Sequence, residues 1–443
     1  MKAWGGDRVA GAGGAEVIAR GADGGPARAT IDSREVGEGD LFFGLAGEHT
    51  DGGEFAAAAL QGGAWGVVVR PEHAEGLDGG WVLAAADPLA ALQSLAHEWR
   101  TELGARVLGV TGSTGKTSVK DIAAAIIGDA VHASRENFNT EIGLPLTILE
   151  ADTGTEFLVL EMAMRGAGQI AELCEIAEPD AVIITNVGPV HIELLGSLEA
   201  VAAAKAEALD GVGDGYAVVP AEAGPLEPHL TGEVKLIRFG AGGDVFARQA
   251  SAVGGETEAL VVTPSGEQGF RFPFDEAYNL DNALAAVAAG FVLGVPLEPM
   301  AHRAPRITFS RLRGEVVELP EGAILINDSY NANPVSMRAA LDHLGSLEVS
   351  GRRIAVLGEM KELGPDAAAY HREVGEYART VGAELVIGVG ELGGAYAPDR
   401  AAADAAAATE ALRAELGPGD AVLVKGSRAV KLETVAEQLK AGA

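Results

Sequence analysis

The stretch Val107-Leu108-Gly109-Val110-Thr111-Gly112-Ser113-Thr114-Gly115-Lys116-Thr117-Ser118 decides the fold. A short apolar strand runs into a glycine-rich loop, and the loop runs into a segment with Val119, Ile122 and Ile126 at helical spacing. That order opens a βαβ unit of a parallel sheet. In the loop, glycines let the backbone approach a phosphate, Lys116 adds positive charge and the Thr117 hydroxyl suits a magnesium ion. Gly112, Ser113, Thr114, Gly115, Lys116, Thr117 and Ser118 are therefore the expected phosphate-binding residues. The position five before Gly115 is Val110 and not glycine, so the loop is a shorter variant of the phosphate-binding motif. The plainer alternative is a glycine-rich turn beside an exposed lysine.

Downstream, Phe157 to Leu160 and Ala181 to Ile184 are continuous apolar runs, as strands buried on both faces of a parallel sheet should be. Ligands of such sheets bind beyond the carboxyl ends of the strands, which draws attention to Glu161 and to the loop from Asn186 to His191. Glu161 could hold magnesium, yet an isolated carboxylate is more often a surface group. An isolated histidine such as His191 is more often structural, and Lys205, in an alanine-rich helix, reads by default as solvated. The segment from about Lys235 to Phe274 reads as short antiparallel strands with a hairpin turned at Ser265 to Gly269.

Before residue 105 the chain reads as a small mixed domain, with strands in Asp40 to Phe43, Trp65 to Val69 and Trp81 to Leu83 and a closing helix from Leu89 to Leu103. From about Arg311 a second alternation begins, with strands near Ala323 to Ile326, Ile354 to Leu357, Leu385 to Val389 and Ala421 to Val424. The alanine-rich stretch Ala401 to Ala408 reads as helix. The expected architecture is three α/β domains: a small mixed domain over 1–104, a central P-loop domain with a parallel sheet over 105–308, and a Rossmann-like domain over 309–443.

Composition agrees with this plan. A chain of 443 residues exceeds a single ordinary core, and 48% hydrophobic residues with 61 dispersed glycines suit a globular α/β protein. Against 64 Asp plus Glu there are 33 Lys plus Arg, a formal net charge of −31, which disfavours non-specific attraction to nucleic acid or anionic membrane. An anionic ligand then depends on local cations, backbone N–H groups and metal. The single cysteine, Cys174, rules out an intramolecular disulfide framework and reads as a buried thiol on a helix. No apolar signal core opens the chain, and the apolar run Ala283 to Val295 is too short to span a bilayer. A cytoplasmic, monomeric protein is expected.

Several strings occur in an order that carries more than any one of them. After Thr111 to Thr117 come Asn137-Phe138-Asn139-Thr140-Glu141-Ile142-Gly143-Leu144-Pro145, Leu160-Glu161-Met162-Ala163-Met164-Arg165, Thr185-Asn186-Val187-Gly188-Pro189-Val190-His191 and Ala204-Lys205-Ala206-Glu207. Together they closely resemble the central domain of the Mur ligase family. Asn279-Leu280-Asp281-Asn282 resembles that family's adenine-side helix, and Asn327-Asp328-Ser329-Tyr330-Asn331-Ala332-Asn333-Pro334 its nucleotide-contacting loop. On residue chemistry alone, Asn333 is also a helix N-cap with Pro334 at the first helical position. Val424-Lys425-Gly426-Ser427-Arg428 at one end, and Asp32-Ser33-Arg34, Gly39 to Phe43 and Asp51-Gly52 at the other, extend the resemblance over nearly the whole chain. Ala163 replaces a usual glycine, and Tyr278 stands where the adenine-side motif usually has histidine.

The resemblance implies an ATP- and Mg2+-dependent ligase that activates a substrate carboxylate as an acyl phosphate and joins it to an amine. The acceptor it implies is UDP-N-acetylmuramoyl-tripeptide and the amine D-alanyl-D-alanine, for peptidoglycan synthesis. The implied catalytic residues are Lys116, Glu161, His191 and Lys205, with metal held by Thr117, Glu161, His191 and Lys205 once Lys205 is carbamylated. ATP contacts are implied for Asn279, Asn282, Arg313, Asp328, Tyr330, Asn331 and Asn333 beside the phosphate loop. Substrate contacts are implied for Ser33, Arg34, Asp51, Asn137, Asn139, Glu141, Arg165, Lys425, Ser427 and Arg428. Another ligase of the superfamily, with a different amine or acceptor, is the nearest rival reading. A P-loop ATPase that couples hydrolysis to binding, or a binding module with a relic loop, lies further off.

Overall fold

The computed structural model describes Met1 and residues 3–231 and 234–441. Three large sheets, each built where the sequence alternates apolar strand and amphipathic helix, organise the chain, and a fourth sheet has three antiparallel strands. The first is five-stranded, in the order Glu16–Ala19, Trp81–Ala84, Gly66–Val69, Leu41–Phe43, Ala29–Thr30. Only the outer strand Glu16–Ala19 runs antiparallel to its neighbour. The helix Pro88–Leu103 starts on the Asp87 side chain, which accepts from the Leu89 and Ala90 N–H groups, and ends at Gly104 in the left-handed conformation. It buries Trp99, whose ring meets Trp4 edge-on at 5.3 Å between centroids.

The central sheet is six-stranded and parallel throughout, in the order Lys235–Phe239, Tyr216–Pro220, Ala181–Ile184, Arg106–Thr111, Phe157–Glu161, Val131–Ala133. Its register sets Glu161 opposite Val110 and Ile184 opposite Thr111, so three strand ends meet where the glycine-rich loop begins. The helices Lys116–Ile126 and Ala277–Val292 pack together on one face. The second is nearly all small residues along its buried side, Ala283, Ala285, Ala286, Ala288 and Ala289 among them, which permits close approach. Cys174 is buried on the helix Gln169–Ala177, and burial pushes its thiol up to about 12.

Two expectations for this region need correction. Lys235–Phe239 is a parallel edge strand of the central sheet and not part of the antiparallel unit. That unit comprises Phe246–Val253, Glu256–Thr263 and Gly266–Phe272, and its second turn lies at Pro264-Ser265, with Gly266 to Gly269 already paired as strand. Pro264 cannot donate to the ladder and Gly266 takes φ of 144°, so the bend falls earlier than the glycine spacing suggested.

The third sheet has the order Glu315–Glu318, Ile324–Asp328, Ala421–Lys425, Arg353–Gly358, Leu385–Val389, Arg400–Ala402, with only its first strand antiparallel. Here the alanine-rich stretch is split: Arg400–Ala402 is an edge strand, and the helix Ala405–Glu415 begins after Asp404, whose side chain caps the Ala407 N–H. Capping and sheet pairing override the alanine propensity of residues 401 to 403. No helix among the described residues is long and apolar enough to cross a membrane.

Candidate active site

A cleft of about 1140 Å³ opens where the carboxyl ends of the central strands face the third sheet. The phosphate loop forms its floor. Gly112 has φ of 145° and a Cβ there would lie 1.9 Å from Thr185 Oγ1, while at Gly115, with φ of 77°, it would lie 2.6 Å from Asn282 Oδ1. Both positions therefore require glycine. The loop is pinned from the next strand end: the Thr114 N–H donates to Asn186 Oδ1 at 3.0 Å, Asn186 Nδ2 donates to Thr114 Oγ1 at 2.7 Å, and the Gly188 N–H donates to Ser113 Oγ at 2.9 Å. Ser118 sits in the first turn of the following helix and also lines the cleft.

Lys116 Nζ bends back to donate to the Gly112 carbonyl at 2.8 Å. Burial lowers its proton affinity, Glu161 opposes that, and Arg313 reinforces it. Glu161 is 3% exposed and accepts from Thr117 Oγ1 and from Asn139 Nδ2, each at 2.8 Å, while its own N–H donates to Ser134 Oγ at 3.0 Å. The adjoining hydroxyl and carboxylate offer two hard oxygens beside the loop, a donor set that fits magnesium. Lys205 is 2% exposed, and its proton affinity falls well below that of a free lysine, through burial first and Lys116 second. As an ammonium it is no metal ligand; as a carbamate it would present oxygens.

His191 lies in the left-handed backbone region at φ of 54° and turns Nδ1 to the Glu362 carboxylate of the third sheet's unit. Burial lowers its proton affinity, with Glu362 opposing and Lys116 and Lys205 adding to the depression. Glu161, His191 and Lys205 thus each interact electrostatically with Lys116. Among the described residues, the group of histidine and carboxylate atoms close enough to share a metal is Asp275, Glu276 and His343, none of them a residue of the phosphate loop.

The opposite wall comes from the third unit. Arg313 Nη2 donates to Thr117 Oγ1 at 2.8 Å and its guanidinium stacks 4.1 Å from the centroid of Tyr330. Lys425 Nζ, almost fully buried, pairs with Asp328 Oδ2 at 2.6 Å and donates to the Asn331 carbonyl at 3.0 Å, which holds the loop after Ile324–Asp328. Asn333 ends that loop in a capping box with Ser336 and lines the cleft. On the central side, Asn282 Nδ2 donates to Asn279 Oδ1 at 3.1 Å, and buried Asn279 donates to Glu276 at 3.1 Å. Tyr278 lines the cleft beside them, its hydroxyl pushed well up by burial.

Asn137, Glu141, Arg165 and Lys425 line the cleft with Asn139. The other expected substrate residues stand apart from it. Arg34 is exposed and pairs with Asp32 at 2.6 Å, next to half-buried Ser33, and Asp51 accepts from the Gly53 N–H at 2.9 Å and pairs with His73 at 3.2 Å. Ser427 Oγ accepts from the Lys361 N–H at 3.0 Å, and Arg428 pairs with Glu433 at 2.9 Å. Two partners of the site escaped the sequence reading. Ser134 carries no motif, and Glu362 is one glutamate among many, visible only once the third unit is placed against His191.

Comparison with known proteins agrees with this arrangement. Residues 110–290 match the Mur ligase middle domain, 312–428 the Mur ligase glutamate ligase domain, and 28–95 the Mur ligase family catalytic domain. The UDP-N-acetylmuramoyl-tripeptide–D-alanyl-D-alanine ligase of Bacillus subtilis is 35% identical over 422 residues, covering 92% of each chain. Its counterpart from Escherichia coli is 33% identical over 429 residues, 93% of each. Among solved structures, MurF from Acinetobacter baumannii superposes with a TM-score of 0.89 at 27% identity, covering 98% of both chains. MurF from Thermotoga maritima, solved in complex with ADP, gives a TM-score of 0.82 at 29% identity over 94% of this chain and 98% of that one. A phosphate loop, half-buried Lys116 with buried Lys205 and a third-unit arginine, joined to relatives that align over more than nine-tenths of the chain, place it in the Mur ligase family.

Proposed function

We infer that the protein is an ATP-dependent ligase that joins D-alanyl-D-alanine to UDP-N-acetylmuramoyl-tripeptide, giving the UDP-muramoyl-pentapeptide precursor of peptidoglycan, ADP and phosphate. The observation that carries this reading is the Arg313–Thr117 contact, which closes a third-domain cation onto the phosphate loop inside a cleft of about 1140 Å³. The domain limits that fit it are 1–104, 105–308 and 309–443.

In the proposed reaction the loop N–H groups, Lys116 and Arg313 hold the ATP phosphates. A carboxylate oxygen of the tripeptide attacks the γ-phosphorus, the bond to the bridging oxygen breaks, and ADP leaves with its electron pair. The amine of D-alanyl-D-alanine then adds to the acyl carbon, loses a proton, and the tetrahedral intermediate expels phosphate to leave the amide. Positioning and charge neutralisation supply most of the rate in such phosphoryl transfer. Magnesium, for which Thr117, Glu161, His191 and carbamylated Lys205 are the proposed holders, would neutralise charge on the transferring group.

Asn279, Asn282, Asp328, Tyr330, Asn331 and Asn333 are the proposed nucleoside contacts. Asn137, Asn139, Glu141, Arg165, Lys425, Ser427 and Arg428 are proposed for the peptide and amine, and Ser33, Arg34 and Asp51 for the uridine nucleotide. The proposed working unit is a monomer acting in the cytoplasm.

Phosphate release from ATP and Mg2+ with UDP-muramoyl-tripeptide, in the presence of D-alanyl-D-alanine or D-alanine, tests the reading. Dipeptide-dependent release with a UDP-pentapeptide seen by mass spectrometry is expected. Release indifferent to either amine would make the protein an ATPase, and a response to another amino acid would keep the chemistry and change the substrate.

A further inference from the structure

At one mouth of the cleft two residues with left-handed backbone face each other across the boundary between the central and third units, His191 with φ of 54° and Glu362 with φ of 62°. Side-chain-bearing residues rarely adopt this conformation, and where they do the surroundings must hold them in it, most often at functional sites. The loop that carries Glu362 is clamped from three directions. The Met360 N–H donates to Nε2 of fully buried His371 at 3.0 Å, the Lys361 N–H donates to Ser427 Oγ at 3.0 Å, and the Ser427 N–H donates to the Glu359 carbonyl at 2.9 Å. His371 is itself fixed, with Nδ1 donating to the Ala367 carbonyl at 2.6 Å. From this base the Glu362 carboxylate meets His191 Nδ1, and its carbonyl accepts from the Glu193 N–H at 3.4 Å.

We propose that Glu362 is a positioning residue delivered by the third domain: by accepting the Nδ1–H of His191 it fixes the tautomer that leaves Nε2 as a lone-pair donor for the metal. A carboxylate behind a ligating imidazole orients the ring and raises its basicity. Here that carboxylate comes from another domain, so His191 is completed as a ligand only when the third domain is closed. Linkage then requires the converse, that metal bound at His191 favours the closed arrangement. The arrangement gives the ligase a physical reason to close on a loaded nucleotide and to relax once the metal leaves with product. This rests on the reading of His191 as a metal ligand in the proposed ligase.

The test uses the full chain saturated with a non-hydrolysable ATP analogue. Mg2+ affinity is measured by calorimetry, and the distance between domains by energy transfer between dyes on Asp214→Cys and Ala414→Cys, both at exposed positions. In the parent chain Mg2+ raises the closed population. In Glu362→Ala, Mg2+ affinity is expected to fall by about 10- to 100-fold, and Mg2+ no longer shifts the distance. Glu362→Gln, whose side-chain oxygen still accepts from Nδ1, restores much of both, and Glu362→Asp, one methylene shorter, behaves like the alanine variant should alanine fail to fold. Nucleotide affinity in EDTA stays at the parent value throughout. Unchanged Mg2+ affinity in Glu362→Ala and Glu362→Asp, or affinity lost while the distance response persists, would overturn the proposal. Amine-independent turnover would sink the ligase reading separately, because neither binding measurement contains an acceptor.

Discussion

Arg313 of the third unit donates to Thr117 Oγ1 at 2.8 Å while its guanidinium carbon lies over the Tyr330 ring, 4.1 Å from the centroid. The ring contact steadies the guanidinium, and its Nη2 points at the hydroxyl that follows the phosphate-loop lysine. Arg313→Ala is expected to lower kcat by about 10²–10³-fold, the scale of losing one oriented donor to transition-state charge. Arg313→Lys should recover little, because an ammonium can neither stack in this way nor present a planar fork. Steady-state ADP formation at saturating substrates checks both, and an unaltered kcat in the alanine variant would remove Arg313 from the reaction.

Lys205 gives a pH dependence of defined sign. Burial, with Lys116 nearby, lowers its folded-state proton affinity far below that of a free lysine. Between that lowered value and the unfolded value of about 10.4, the unfolded chain binds more protons than the folded one, so stability rises with pH across the window. Melting temperature in bicarbonate-free buffer should therefore climb from about pH 7 to 9, by less in Lys205→Met, where Lys116 alone leaves a residual slope. Added bicarbonate, by carbamylating the neutral amine, should stabilise the parent protein and leave Lys205→Met unaffected. Equal slopes in the two proteins would mean that Lys205 is charged in the folded state.

What the sequence made legible, and what it did not, follows the range of the interactions concerned. The strand–loop–helix around Gly112 to Lys116 is local: buried apolar runs, obligatory glycines and helical spacing lie within about a dozen residues and all agree. The same holds for Asn333, whose capping role needs only Pro334 and Ser336. The edge strand Glu315–Glu318 has only two apolar residues between glutamates, and Ala401 and Ala402 follow their sheet neighbour against their own propensity, so tertiary pairing decided both. Glu362 was beyond reach for a stronger reason. Its partner His191 is 171 residues away on another unit, and no local pattern separates it from the rest of an acidic surface.

Asn333 links the stability of the third unit to nucleotide affinity. Its side chain caps the Ser336 N–H at 2.9 Å, and Ser336 Oγ accepts from the Asn333 N–H at 3.1 Å, which ends the loop carrying Tyr330 and Asn331. Asn333→Ala should cost about 1 kcal/mol in urea unfolding of the third unit, and Asn333→Asp much less. Because the same loop lines the cleft, the alanine variant should also raise KM for ATP several-fold. A stability loss with unchanged KM would confine Asn333 to capping.

Glu161 separates the charge of the site from its shape. Its two carboxylate oxygens accept from Thr117 and Asn139, and its negative charge sustains the proton affinity of Lys116 against desolvation. Glu161→Gln keeps the volume and can keep one of these contacts, yet removes the charge that would hold a divalent cation, so Mg2+-dependent ATP binding should weaken by about tenfold or more. Asn139→Ala leaves the charge and removes one donor, so its Mg2+ affinity should fall far less. Titrating Mg2+ against fixed ATP analogue in both variants decides the matter. If Glu161→Gln retains the parent Mg2+ dependence, the Thr117–Glu161 pair is not the seat of the metal and the cation must be held by the nucleotide phosphates with His191 and Lys205.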